Sequence, residues 1–255
     1  ELSKRKYAES YRISKVSPQN DILSQDAMLA KFCRLNHTFH VPVYKDGPDW
    51  FSFWTHALGF VLSLIGLLLL VLKASTPISQ FSCGLYGCCM CVLFFASALH
   101  HMVKRPAGRE MSDLLRRFDH ISIYLFIAGS YTPICMLSLR TRAATYLLAI
   151  VWSLTIAGIV QKSTLQFSPR WATIGTYVFQ GWICLFLWTP LHQAFSPDEI
   201  HYLVAGGLLY TLGAFVYATK FPDPLPNVVG FHGLWHLFVL LGASQHFWFI
   251  YKFVA

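Results

Sequence analysis

Long apolar runs separated by short polar connections dominate the chain after residue 50. Runs of about 20 apolar residues, the length at which a helix crosses a bilayer, recur seven times. The pattern predicts an all-α polytopic membrane protein, a bundle of seven transmembrane helices. The approximate limits of the runs are Phe51–Lys73, Gln80–Met102, Phe118–Leu139, Ala144–Gln161, Trp171–Pro190, Ile200–Lys220 and Val228–Tyr251.

The first 50 residues differ from the rest of the chain because they are polar and basic. They lack the apolar core of a cleavable signal peptide, so the first apolar run is expected to act as the targeting signal. We predict two units. Residues 1–50 form an N-terminal segment that is a candidate for binding a protein partner, and residues 51–255 form the seven-helix transmembrane domain.

Composition and charge support membrane insertion rather than nucleic-acid binding. The chain is 55% hydrophobic and 13% charged, whereas soluble domains are about 25% charged. The net charge of +8 is explained by the positive-inside rule, because sixteen of the twenty basic residues fall on the N-terminal segment and alternate loops. We therefore predict a cytoplasmic N-terminus, an outer C-terminus and residence in the plasma membrane or an endomembrane, with no nucleic-acid partner.

Four of the seven cysteines lie within the second run, including Cys88, Cys89 and Cys91. Their spacing resembles a metal cluster. Small residues in membrane helices more often permit close helix packing, and we favour that interpretation.

Two histidines, His232 and His236, lie one helical turn apart at the start of the seventh run. Residues i and i+4 share one face of a helix, so both imidazoles can reach one metal ion. Polar rings at membrane depth are costly unless they have partners. The pair therefore predicts part of a metal site.

The alternating direction of the spans brings further polar groups to the same depth. The second run ends, and the third and seventh begin, on the side predicted to be cytoplasmic. Three imidazoles with one open position are a familiar Zn²⁺ set. We predict that His101, His232 and His236 bind Zn²⁺ and that Asp119 accepts the proton of the zinc-activated water. Ser97, one turn deeper than His101, is predicted to hold that water or polarise a substrate carbonyl.

Each of these residues also has a plainer interpretation. Spacing from Ser97 selects His101 over His100, which would turn toward a neighbour or the headgroups. Histidines in membrane helices often serve packing, and His56 is expected to pack or to support the site from behind the ligands. Asp119 also suits the N-cap of the third helix. Ser97 also suits a hydrogen bond to its own helix.

The motifs resemble those of the hemolysin III family, which is grouped with the progestin and adipoQ receptors, including the adiponectin receptors. The resemblance covers about Asp49 to the C-terminus, and nothing is carried over to residues 1–50. It rests on Ser97-Ala-Leu-His-His101, on Phe118-Asp119-His120 with Ile-Ala-Gly-Ser-Tyr-Thr-Pro133, on Phe231-His232-Gly-Leu-Trp-His236-Leu-Phe, and on Trp54-Thr55-His56 with Leu58-Gly59-Phe60.

The resemblance implies a seven-helix bundle with Zn²⁺ near the cytoplasmic face. The family's S-x-x-x-H motif maps to Ser97 and His101, its aspartate to Asp119, and its H-x-x-x-H motif to His232 and His236. Members have been linked to ceramide hydrolysis, lipid-sensing signalling and membrane-fluidity homeostasis.

Three functions follow from these patterns. The first is an intramembrane zinc-dependent hydrolase that acts on a lipid amide such as ceramide, with membrane lipids as substrate or ligand in the bundle. The alternative is a lipid-responsive or ligand-responsive receptor, or a membrane-homeostasis sensor, with a structural zinc. A channel or transporter needs a hydrated path, and no polar stripe along several runs indicates one.

Overall fold

The computed structural model describes residues 49–103, 109–164, 169–226 and 228–255. The predicted N-terminal segment therefore lies outside the described residues, apart from its last two. Within the described ranges the regular structure is helical, as predicted. The α-helices are α1 (Trp50–Lys73), α2 (Pro77–Met102), α3 (Arg109–Pro133), α4 (Arg142–Thr164), α5 (Arg170–Trp182), α6 (Trp188–Ala194), α7 (Pro197–Thr219) and α8 (Gly230–Phe249).

Seven helical segments of the described chain are long and apolar enough to cross a membrane, which confirms the predicted seven-span architecture. They are Trp50–Lys73, Pro77–Met102, Met111–Leu139, Arg142–Thr164, Arg170–Ala194, Pro197–Thr219 and Gly230–Val254. The third begins seven residues before the predicted limit, Phe118. The reason is that the preceding residues are helical but polar, so they carry no hydropathy signal.

Three of the described spans depart from regular α-helix, and the seventh does so at its end, in the π-helix Ile250–Val254. After Pro133 the third span continues as the π-helix Ile134–Leu139, since proline has no N–H to extend the α-helical hydrogen bonds. The fifth span joins α5 to α6 through the 3-10 helix Ile183–Leu187. At the junction between α5 and this 3-10 helix, the Tyr131 hydroxyl donates to Gly181 O (2.7 Å) and accepts from Cys184 N (3.1 Å).

The helix ends carry the capping residues expected of stable helices. Asp49 caps α1 by accepting from Ser52 N at 3.2 Å. Thr76 and Ser79 form a capping box at the start of α2. The proline-rich connection after α7 stops that helix at Thr219, and Lys220 adopts a left-handed conformation with φ 59°.

The second and third spans form the centre of the bundle. In the most apolar 18-residue stretch of each, 61% and 56% is buried, against 22–28% for the other five spans. Helix α2 packs against α1 and α3, while α8 packs against α7 and α1. The start of α1, the end of α2 and the start of α8 are thereby held together.

Cys89 of α2 lies at a close approach between two helices. A side chain at Gly129 of α3 would meet Cys89 Cβ at 2.9 Å, so the two helices approach closely there. Within the described ranges no cysteine belongs to a group of potential metal ligands. The packing interpretation of the cysteine cluster is the one that fits this geometry.

Candidate metal centre

Three imidazoles from two helices converge at one end of the bundle. His101 lies in the last turn of α2, and His232 and His236 lie in the first two turns of α8. His232 Nε2 is 3.2 Å from His101 Nε2 and 3.1 Å from His236 Nε2. One nitrogen from each ring lies within 4.8 Å of the other two, so the group can hold a metal ion.

The spacing of the nitrogens fits a small tetrahedral cation. Two imidazole nitrogens that bind one Zn²⁺ at 2.0–2.1 Å lie about 3.3 Å apart. The two Nε2–Nε2 distances, 3.2 and 3.1 Å, are close to that value. His236 is only 2% exposed, which makes three clustered rings without a shared ligand costly. The residues present therefore fit a metal held through three nitrogens.

The start of α8 is fixed by the loop before it. Asp223 Oδ1 accepts from Phe231 N at 2.7 Å, and Gly230 N donates to Pro224 O at 3.0 Å. A side chain at Gly233 would meet the Phe51 ring at 2.6 Å, so α1 and α8 touch between the two α8 histidines. These contacts set the height and rotation of α8.

Asp119 lies beside the histidines but does not join the triad. Its carboxylate lies within 4.8 Å of ring nitrogens of His100 and His101, without belonging to the group that contains His232 and His236. The Ser97 side chain interacts with this carboxylate. Helix α3 begins ten residues earlier, at Arg109, so the N-cap interpretation of Asp119 is wrong.

His100 turns toward α3 rather than toward the headgroups. The i+4 argument assigned a face only to His101 and left both directions open for His100. In the structure a ring nitrogen of His100 lies within 4.8 Å of both His101 and Asp119. His100 therefore turns toward a neighbour, one of the two directions expected, and the packing of α3 on α2 decides between them.

His56 of α1 packs directly on a member of the triad. Its ring stacks on His236 with centroids 3.8 Å apart and contacts the Phe94 ring edge-on at 5.1 Å. The side chain is buried, and neither ring nitrogen has a well-formed hydrogen bond. This is the supporting position behind the triad that the sequence predicted.

Asp49 is a residue of the site that sequence reasoning missed. Its Oδ2 lies 3.8 Å from His101 Nδ1, the ring nitrogen that faces away from His232. The available signal was an acidic residue two positions before the first apolar run, at the end of the bundle where the histidines meet.

The described part of the chain thus forms a seven-span helical membrane protein with a buried histidine triad that can hold a metal ion at one end of the bundle. Comparison with known proteins places this architecture in a family. The profile described as "Haemolysin-III related" matches residues 48–247, and the chain belongs to that family.

Named relatives agree with this assignment. The chain is 34% identical to Hemolysin-3 of Bacillus cereus, over 78% of this chain and 89% of the relative. It is 33% identical to the Hemolysin-3 homolog of Bacillus subtilis (strain 168), over 76% and 88%. Human Monocyte to macrophage differentiation factor is 26% identical over 79% and 82%. The predicted family resemblance is confirmed.

Proposed function

We propose that this protein is an intramembrane zinc-dependent hydrolase that cleaves a lipid amide of the ceramide class. The observation that carries the proposal is the pairing of a three-nitrogen site with a carboxylate just outside it. Catalytic zinc sites in proteins keep three protein ligands and leave a fourth position free, whereas structural sites are closed by four.

The donor set favours zinc among the metals of biology. His101, His232 and His236 offer three imidazole nitrogens at a spacing suited to a tetrahedral ion. Imidazole suits Zn²⁺ better than the oxygen-seeking Mg²⁺ and Ca²⁺. A bound Zn²⁺ supplies Lewis acidity toward a carbonyl oxygen and a water that ionises near neutral pH.

Asp119 is assigned the proton transfers. As the amide carbonyl carbon gains a bond to the water oxygen, the carboxylate takes the water proton. When the C–N bond breaks, the same carboxyl group gives that proton to the departing nitrogen, so the products are a fatty acid and an amine. Ser97, which interacts with Asp119, is assigned to hold the carboxylate in position for both transfers.

The position of the site suits a substrate that lies in the bilayer. The triad lies in the last turn of one span and the first turns of another, so it is close to one end of the spanning segments. An amide near the lipid headgroup reaches that depth while its acyl chains stay in the apolar region. We further propose, from the basic loops, that this end faces the cytoplasm.

The test is release of fatty acid by purified protein in lipid nanodiscs. With one equivalent of Zn²⁺, ceramide turnover is expected above the protein-free control, and His236→Ala is expected to abolish it. His246→Ala is the matched control, because His246 lies on the same helix and bonds to Leu203 O at 3.2 Å instead of joining the triad. Zinc-loaded protein that releases no fatty acid from ceramides or other lipid amides contradicts the proposal.

A receptor or membrane-state sensor with a structural zinc is the second candidate. The observation that favours it is the linkage between spans, since the triad joins the end of α2 to the start of α8 while His56 of α1 stacks on it. A metal there restrains three spans whether or not it performs chemistry. This function predicts a full zinc load, a large stability loss on chelation and no turnover.

A further inference from the structure

We propose that Asp49 is a positioning residue of the metal site. Its carboxylate accepts a hydrogen bond from His101 Nδ1–H and thereby keeps the lone pair of Nε2 directed at the metal. The inference rests on the proposal that the triad binds a metal, and it adds the N-cap of α1 to the residues that build the site.

The two nitrogens of His101 have separate neighbours. Nε2 faces His232 Nε2 at 3.2 Å, while Nδ1 faces Asp49 Oδ2 at 3.8 Å. A neutral imidazole carries one N–H and one lone pair. An acceptor beside Nδ1 favours the N–H at that nitrogen, which leaves Nε2 as the ligand atom. Metal-binding histidines commonly donate their second N–H to a carboxylate in this way.

The Asp49 carboxylate is held in place by the first turn of α1. Its Oδ1 accepts from Ser52 N at 3.2 Å, and its Oδ2 accepts from Ser52 Oγ at 2.7 Å. An anchored acceptor fixes the ring with less loss of side-chain entropy than a free one. The remaining gap to His101 exceeds a hydrogen bond by about 0.8 Å, a movement that the ring can make when it takes up a ligand.

The charge of Asp49 acts on the whole cluster. Its side chain is 39% exposed, yet its field reaches the rings of His100 and His232 as well as the ring of His101. A negative charge at the edge of a cluster of neutral imidazoles favours a divalent cation over an empty site. The carboxylate thus contributes orientation through one hydrogen bond and attraction through its charge.

The competing explanation is that Asp49 serves only as the N-cap of α1. Asparagine caps helices as well as aspartate does. The substitution Asp49→Asn therefore keeps the cap on Ser52 N while it removes the negative charge and weakens the acceptor. Asp49→Ala removes both functions. The pair of variants separates a capping role from a role in the metal site.

The experiment measures metal binding in full-length protein. Zn²⁺ affinity is obtained by competition with a chromophoric chelator, and the visible absorption of Co²⁺-loaded protein reports the geometry of the ligands. Asp49→Asn is expected to lower Zn²⁺ affinity about 10–100-fold and to alter the Co²⁺ bands. The melting temperature of metal-free Asp49→Asn is expected to match that of the metal-free wild type. Asp49→Ala is expected to lower both the Zn²⁺ affinity and the melting temperature.

Asp113→Asn is the matched control. Asp113 is an exposed carboxylate that pairs with Arg116 at 3.2 Å, so its loss is expected to leave affinity and spectrum unchanged. Wild-type affinity and spectrum in Asp49→Asn overturn the positioning role and leave only the cap. Wild-type protein that binds neither ion overturns the metal site itself, and the positioning role with it.

Discussion

The two ends of the bundle both contain histidines, but they use them differently. At the end where α8 begins, His232 Nε2 lies 3.1–3.2 Å from Nε2 of His101 and of His236. At the other end His246 bonds to Leu203 O, His201 bonds to the backbone of Asp198, and His192 packs on the Trp188 ring. Each histidine of the second end has a partner within its own region of the protein.

The difference distinguishes the end of the bundle that can hold a metal ion. A polar side chain in a membrane protein needs a partner, and a backbone carbonyl or an aromatic ring is sufficient for one isolated histidine. Three imidazoles directed at a common point gain little from one another, since at most one N–H of each can be donated. A shared cation satisfies all three lone pairs at once.

The largest expected effect is on metal content. His236→Ala removes one of three ligands, so Zn²⁺ affinity is expected to fall by more than the about 10–100-fold that loss of an outer-shell partner costs. His246→Ala, at the opposite end of α8, is expected to keep the wild-type metal load and to lose about 1–3 kcal/mol of stability. Elemental analysis of purified protein measures the load, and equal zinc in both variants would remove the distinction between the ends.

Activity is expected to depend strongly on Asp119 without a change in metal content. Positioned acid–base groups contribute about 10²–10⁴-fold to rate, and Asp119→Asn should lose a factor in this range. Its zinc content should stay at the wild-type level because the carboxylate stands outside the triad. At the other end, Asp198→Asn is the control expected to retain turnover. Loss of zinc from Asp119→Asn would instead make the aspartate a direct ligand.

Metal removal is expected to destabilise the end of the bundle that contains the histidine triad and to leave the end that contains His246 unaffected. A ligand at about 1,000 times its Kd adds about 4 kcal/mol of stability, so a strong chelator should lower the melting temperature by several degrees. Acidification should act in the same direction, because imidazoles must be neutral to bind a metal. Thermal unfolding of wild type, His246→Ala and His236→Ala checks this, since only the last should be insensitive to chelation.

Ser97 is expected to give the smallest effect. Its side chain contacts the Asp119 carboxylate rather than the triad, so Ser97→Ala should lower turnover about tenfold while zinc affinity is unchanged. The comparison of kcat with KM tests this role, because loss of positioning lowers kcat whereas loss of substrate binding raises KM. A Ser97→Ala variant with full activity would show that Asp119 needs no such support.

The amino-acid pattern was sufficient to predict the architecture. Hydropathy located all seven spans, because each must present about 20 apolar residues to the bilayer. It missed the start of the third span, since the residues before Phe118 form a polar helix that hydropathy cannot detect. Backbone hydrogen bonds within the helix, which polar and apolar residues form alike, decide that boundary.

Spacing along single helices located the triad but not its surroundings. The i+4 rule placed His232 and His236 on one face, and alternating spans brought His101 to the same depth. It gave no information on His100 or Asp49, whose neighbours lie on other helices. His101 and Asp49 are 52 positions apart, and their approach follows from the packing of α1 on α2.

By itself the sequence determined the number of spans and the common depth of the three histidines, because these follow from periodicity and from the cost of polar groups in lipid. The family resemblance came from its motifs. The tertiary structure decided which rings face one another, that His56 stacks behind His236, and that Asp49 reaches His101. Helix periodicity fixes height and face along one element, whereas distances between elements arise only when side chains of several helices pack together.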